Sequence, residues 1–142
     1  MKSTFTAVAR VTIEAGVEKV WDALTNPKII KQYLFGTEAS SDWKVGSSIT
    51  YKGVWEGKPY EDKGRILELV LNKLLRSTYL SSFSGLADKP ENYNTVTYAL
   101  SNAGGGTELI VTQDNIQTKE AADHSEGNWA LVLQAMKKLL EK

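Results

Sequence analysis

Residues 125–141 place Trp129, Val132, Leu133, Met136, Leu139 and Leu140 at helical spacing, and this stripe follows a stretch, 36–115, written in strands and turns. That order constrains the fold more than any other feature. Consecutive strands joined by short turns form an antiparallel sheet, and a sheet with one apolar face must cover it. The C-terminal helix is the one segment long enough to do so, and its own stripe needs burial in return. Lys137, Lys138 and Lys142 load the helix end with positive charge, which complements its dipole. Glu120, Asp123 and Glu126 are expected to precede the helix.

The strand signal is period two. In 5–14, Phe5, Ala7, Ala9, Val11 and Ile13 share one face, with Thr4, Thr6, Arg10 and Thr12 on the other and Val8 as the exception. Beyond residue 36, turn residues divide the chain into strand segments 47–56, 60–71, 74–83, 93–101 and 107–114, rich in Thr, Tyr, Val and Ile. About six strands are expected there, with a longer loop over 81–92. Between the first strand and this region lie two short helices. Val17, Val20, Trp21 and Leu24 form the stripe of the first, and Asn26-Pro27 stops it. Pro27 then suits the first turn of a second helix carrying Ile29, Ile30, Tyr33 and Leu34.

The expected fold is therefore α+β: strand, two short helices, a sheet of about six antiparallel strands, and a long C-terminal helix, in one domain over 1–142. Apolar residues make up 42% of the chain, enough for a real core. Lys+Arg and Asp+Glu are 17 each, so no basic excess steers it to nucleic acid. No run of residues has the length and apolarity of a membrane span, and the first residues, Met1-Lys2-Ser3-Thr4-Phe5, lack the apolar core of a signal peptide. A cytoplasmic protein is expected. With no cysteine and one histidine, thiolate chemistry and multi-histidine metal sites are excluded, and no cofactor is expected.

Five strings resemble a known family. They are 17–27 in the first helix, Asp42-Trp43-Lys44-Val45-Gly46, Gly64-Arg65-Ile66-Leu67-Glu68-Leu69, Gly105-Gly106-Thr107-Glu108-Leu109, and Gly127-Asn128-Trp129 opening the final helix. Their order resembles the START-like, Bet v 1-like helix-grip superfamily, in its branch related to the C-terminal domain of the Hsp90 ATPase activator. One departure is Leu69-Val70-Leu71-Asn72, where many relatives carry a proline; only the turn is expected to change. The resemblance implies an internal cavity between helix and sheet, and a small hydrophobic or amphipathic ligand, such as a lipid, polyketide or aromatic molecule. The activator itself has an additional N-terminal domain for which these residues leave no room, so action on Hsp90 is not expected.

The candidate cavity wall is Tyr33, Trp55, Tyr79, Tyr98, Trp129, Leu133 and Met136. Tyrosine and tryptophan join an apolar body to one polar handle, and methionine adapts its shape, which suits such a wall. Trp21, Trp43 and Tyr51 are further aromatics around the sheet, read chiefly as packing. Catalytic signals are thin. His124 is the one side chain with an ordinary pKa near neutrality, and it is expected at the entrance of the final helix, on the surface. Arg65 and Glu68 stand three apart in a strand and should point to opposite faces; an inward Glu68 would be a candidate base. Asn102-Ala103-Gly104-Gly105-Gly106 joins two strands and is a turn, not a phosphate cradle. No catalytic residue is assigned. Binding without chemistry is the leading expectation, ahead of a cyclase or hydrolase using the same cavity and of a chaperone-interaction module.

Overall fold

The computed structural model describes residues 4–82 and 85–141. Met1, Lys2, Ser3, Phe83, Ser84 and Lys142 lie outside the described residues, and with them the first three residues read for a signal peptide, the end of the 74–83 segment and the last lysine of the C-terminal helix. The elements are β1 (Phe5–Ile13), α1 (Val17–Thr25), α2 (Pro27–Tyr33), β2 (Glu38–Ser41), β3 (Ser48–Trp55), β4 (Lys58–Val70), β5 (Leu74–Tyr79), a 3-10 turn (Pro90–Asn92), β6 (Asn94–Ala103), β7 (Gly106–Ile116) and α3 (Lys119–Leu140). The strands form one antiparallel sheet in the order β1-β7-β6-β5-β4-β3-β2. From β2 to β7 it is a meander, and β1 closes beside β7, pairing Val11 with Leu109 and Ala9 with Val111. The chain must therefore cross from one edge of the sheet to the other after β1, and α1 and α2 make that crossing. This is the helix-grip fold. No helix among the described residues is long and apolar enough to cross a membrane.

The short helices start and stop as their residues require. The Asn26 side chain accepts from the Lys28 amide at 3.1 Å and caps α2, with Pro27 in its first turn. Val20, Trp21, Ala23 and Leu24 are buried. The alternation of β1 holds: Ala7, Val11 and Ile13 are buried while Val8 faces out. In the turn after β4, Asn72 takes a left-handed backbone and Lys73 donates to the Val70 carbonyl at 2.9 Å. Gly64 is needed for a different reason. A Cβ there would stand 1.7 Å from the Thr78 carbonyl oxygen, so no other residue allows β4 to run this close to β5.

Two expectations are corrected. The final helix begins at Lys119, not near residue 125. Thr118 caps it, accepting from the Ala121 amide at 3.0 Å, and Glu120 favours its positive end. Its apolar stripe starts with Ala122, which packs on Ala7 and Ile116. Glu120, Asp123, His124 and Glu126 thus lie within the helix, and Gly127-Asn128-Trp129 lies in its middle instead of opening it. Nothing would meet a Cβ at Gly127, so Gly127→Ala is expected to stabilise the protein by about 0.5–1 kcal/mol in urea unfolding.

The second correction concerns β4. Ile66 pairs with Ser77 and Glu68 with Arg76, so Leu67 is an extra residue in a bulge. The bulge resets the alternation, and Arg65 and Glu68 end on the same outer face. Glu68 binds Arg76 there at 2.8 Å, both side chains more than two-fifths exposed. It is not an inward base.

The far end of α3 is tied down by polar contacts. Lys137 Nζ donates to the Thr12 carbonyl at 2.7 Å, and Lys19 Nζ to the Leu140 carbonyl at 2.8 Å. Glu141 accepts from the Glu14 amide at 2.8 Å. These hold α3 over β1 and β7, with α1 and α2 also in contact. Among the described residues no helix comes as close to β3, β4 or β5. The main core cluster is continuous but thus has two parts: one under α3, and one over the middle strands where the sheet's own side chains must fill the space.

Candidate functional site

Counting inward positions by register shows what fills the second part. From β3 come Ile49 and Tyr51, and from β4 Tyr60, Asp62, Gly64 and Ile66. From β5 come Leu75, Ser77 and Tyr79, opposite Tyr98 and Val96 of β6. Tyr98 in turn faces Val111 of β7, and Val96 faces Gln113. Tyr51, Tyr79 and Tyr98 thus carpet one concave surface. All three are half-buried and pack against the core, as do Trp43, Leu69 and Trp129.

Each phenol has a distinct environment. Tyr33 is buried and donates to the Ala23 carbonyl at 2.9 Å, locking α2 to α1. Tyr79 donates to Asp62 Oδ2 at 2.8 Å, while the other oxygen of Asp62 accepts from the Ser82 amide at 2.8 Å and its hydroxyl at 3.2 Å. Tyr60 and Thr37 are joined hydroxyl to hydroxyl. Tyr51 and Tyr98 differ from these. Neither hydroxyl has a hydrogen-bond partner among the described residues. A polar group held inside a protein without a partner is costly, so such a pair is unusual.

Electrostatics agree with this picture. Burial raises the phenol pKa of Tyr33, Tyr51, Tyr79 and Tyr98 well above the ordinary value. The charge that Tyr51 would carry if ionised raises Tyr33 and Tyr98 further. For Tyr79 the carboxylate of Asp62 adds to the effect of burial. All four are therefore neutral hydrogen-bond donors at physiological pH.

Trp129 joins the same surface from α3. Its ring meets Tyr98 edge to face, centroids 5.8 Å apart and planes at 82°. Its indole donates to Gln113 Oε1 at 2.9 Å, and Gln113 donates to Asn94 Oδ1 at 2.9 Å. A polar chain thus runs from α3 into β7 and β6.

The seven residues expected to line the cavity separate into groups. Tyr79, Tyr98 and Trp129 come together with open surface. Tyr33, Leu133 and Met136 are close by but packed, the last two only 1% exposed. Trp55 stands apart at the end of β3, 56% exposed and outside the core cluster. Trp21 is buried, as packing requires. His124 sits on the exposed side of α3, away from the tyrosines. Asp62 escapes the reading of the sequence, although counting back in twos from Ile66 marks it as inward; Gln113 and Asn94 follow from the same count in β7 and β6. A groove of about 480 Å³ on the outer surface, lined by Pro27, Lys28, Lys31, Glu38 and Lys52 among others, is distinct from this site.

Comparison with known proteins agrees with this architecture. Ara h 8.0201, a Bet v 1-like protein, superposes with a TM-score of 0.77 at 12% identity, covering 97% of this chain and 98% of its own. The Aha1 dimer from Colwellia psychrerythraea gives 0.76 at 23% identity over 96% of each chain. These two likenesses establish the fold alone. The solution structure of ChR145 from Cytophaga hutchinsonii is nearer, 47% identical over 99% of this chain and 97% of its own, with a TM-score of 0.85. A search of curated proteins gives no match. Residues 14–141 fit the family described as activator of Hsp90 ATPase homolog 1-like protein, and with nine-tenths of its length so matched the chain belongs to that family.

Proposed function

We propose that this protein binds a small apolar or amphipathic molecule between its helices and the middle strands of the sheet, and releases it unchanged. The observation that carries this is the concave surface of Tyr51, Tyr79, Tyr98 and Trp129, where among the described residues the helices lie nearer β1 and β7 than β3, β4 or β5 and two hydroxyls have no hydrogen-bond partner. An apolar wall with a few convergent polar groups is the usual make-up of a small-molecule site. The helix-grip family is known for hydrophobic ligands, which supports the same conclusion. Affinity would come mainly from buried apolar area, at about 25 cal/mol per Å².

The test is NMR chemical-shift mapping with a library of fatty acids, sterols, flavonoids and polyketides. Binding should move the resonances of Tyr51, Tyr79, Tyr98 and Trp129 together, and the ligand should be recovered intact. With Glu68 and His124 on the outside, Asp62 is the inward group to test for chemistry. Conversion of a ligand, abolished by Asp62→Asn, would favour an enzyme. Shifts confined to the outer face of the sheet would favour a protein-interaction role instead.

A further inference from the structure

Resting on that proposal, we infer that the ligand carries a neutral hydrogen-bond-accepting oxygen, such as a ketone, ester or quinone carbonyl, which the hydroxyls of Tyr51 and Tyr98 hold. Three observations select this class. First, both hydroxyls are donors without a partner among the described residues, and both side chains are half-buried on one concave face. A phenol can give one hydrogen bond, so an acceptor oxygen satisfies it where a hydrocarbon leaves it unmet. Second, beside Tyr51 and Tyr98 the inward row of the described strands holds no lysine or arginine. Lys58, which shares the register of Tyr60 and Asp62, is exposed at the far end of β4 opposite Trp55. Lys63 binds Asp88 on the outside and Arg76 binds Glu68 there. Third, the charged side chain that does face inward is Asp62, held by Tyr79 and Ser82. A carboxylate ligand would enter an apolar space with no cation to meet it and an anion nearby, which is costly. A neutral carbonyl meets donors and no opposing charge. A free fatty-acid anion is thus disfavoured against its own ester.

Three probes of similar size and shape separate these terms: 2-acetonaphthone, 2-ethylnaphthalene and 2-naphthoate. Affinities follow from NMR titration of the intact chain. The ketone should bind about fivefold or more tighter than the hydrocarbon, the ratio expected of one net hydrogen bond, and the carboxylate should bind weakest. In the double variant Tyr51→Phe/Tyr98→Phe, the preference for ketone over hydrocarbon should vanish. Each substitution removes an oxygen that bonds to nothing in the described protein, so the fold should persist; if it does not, the three probes on the unaltered chain still decide. Equal binding of ketone and hydrocarbon, tightest binding of the carboxylate, or a ketone preference that survives the double variant would overturn the inference while leaving hydrophobic binding intact. Failure of all three probes to move the interior resonances would instead overturn the proposed function itself.

Discussion

Raising the pH above 10 should unfold this protein steeply. The cause is the group of buried phenols at Tyr33, Tyr51, Tyr79 and Tyr98, each pushed by burial above the ordinary value of 10.0 or well above it. Below pH 10 the folded and unfolded chains both keep these protons, and the full stability is present. As pH rises past 10, the unfolded chain loses them while the folded chain holds them. Stability then falls with pH, by about 1.4 kcal/mol per unit for each such tyrosine and by about 5 kcal/mol per unit for four. Total stabilities of about 5–15 kcal/mol cannot withstand that for more than a few units. Phenolate absorbance and near-ultraviolet circular dichroism, followed together, provide the check. Most of the absorbance change should coincide with loss of the fold. If all six tyrosines ionise near pH 10 while the fold persists, the concave surface is wet and the proposed site loses its apolar character.

The parts of the fold that the sequence displays are those set by local periodicity. Alternation assigns the faces of β1 correctly, and the spacing from Trp129 to Leu140 assigns the buried face of α3. The start of α3 is hidden because its first inward residue is the small Ala122, which gives no hydrophobic signal, and because Thr118 declares itself as a cap only through its hydrogen bond. The face of Glu68 is hidden for a deeper reason. It depends on the bulge at Leu67, a mismatch in residue count between two paired strands that neither strand shows alone. The site is least legible, since Tyr51 and Tyr98 share one face only after β4 and β5 have been laid between their strands. That Tyr79 and not Tyr98 finds a carboxylate depends on the register that brings Asp62 inward.

Leu133→Ala should cost this protein about 3–5 kcal/mol, the upper part of the range for such changes. Had Leu133 bordered open space, the neighbouring atoms would already lack contacts there and the loss would be small. It is instead 1% exposed, next to Met136 in the core cluster with Val11, Val20 and Leu109. The hole left by truncation is braced on several sides. The polar ties from Lys137 to Thr12 and from Lys19 to Leu140 hold α3 in place, so the helix cannot readily move to refill it. Leu131→Ala is the control. Leu131 lies two residues away on the same helix but is 64% exposed, so its truncation should change stability by less than about 0.5 kcal/mol. Urea unfolding of the two variants beside the parent makes the comparison. A cost below about 1 kcal/mol at Leu133 would mean that the grip of the sheet on α3 is loose. The proposed cavity would then extend under the helix, with Leu133 and Met136 in its wall. A large cost at Leu133 leaves the tyrosine side of Trp129 as the place for the proposed ligand, where the hydroxyls of Tyr51 and Tyr98 have no partner among the described residues.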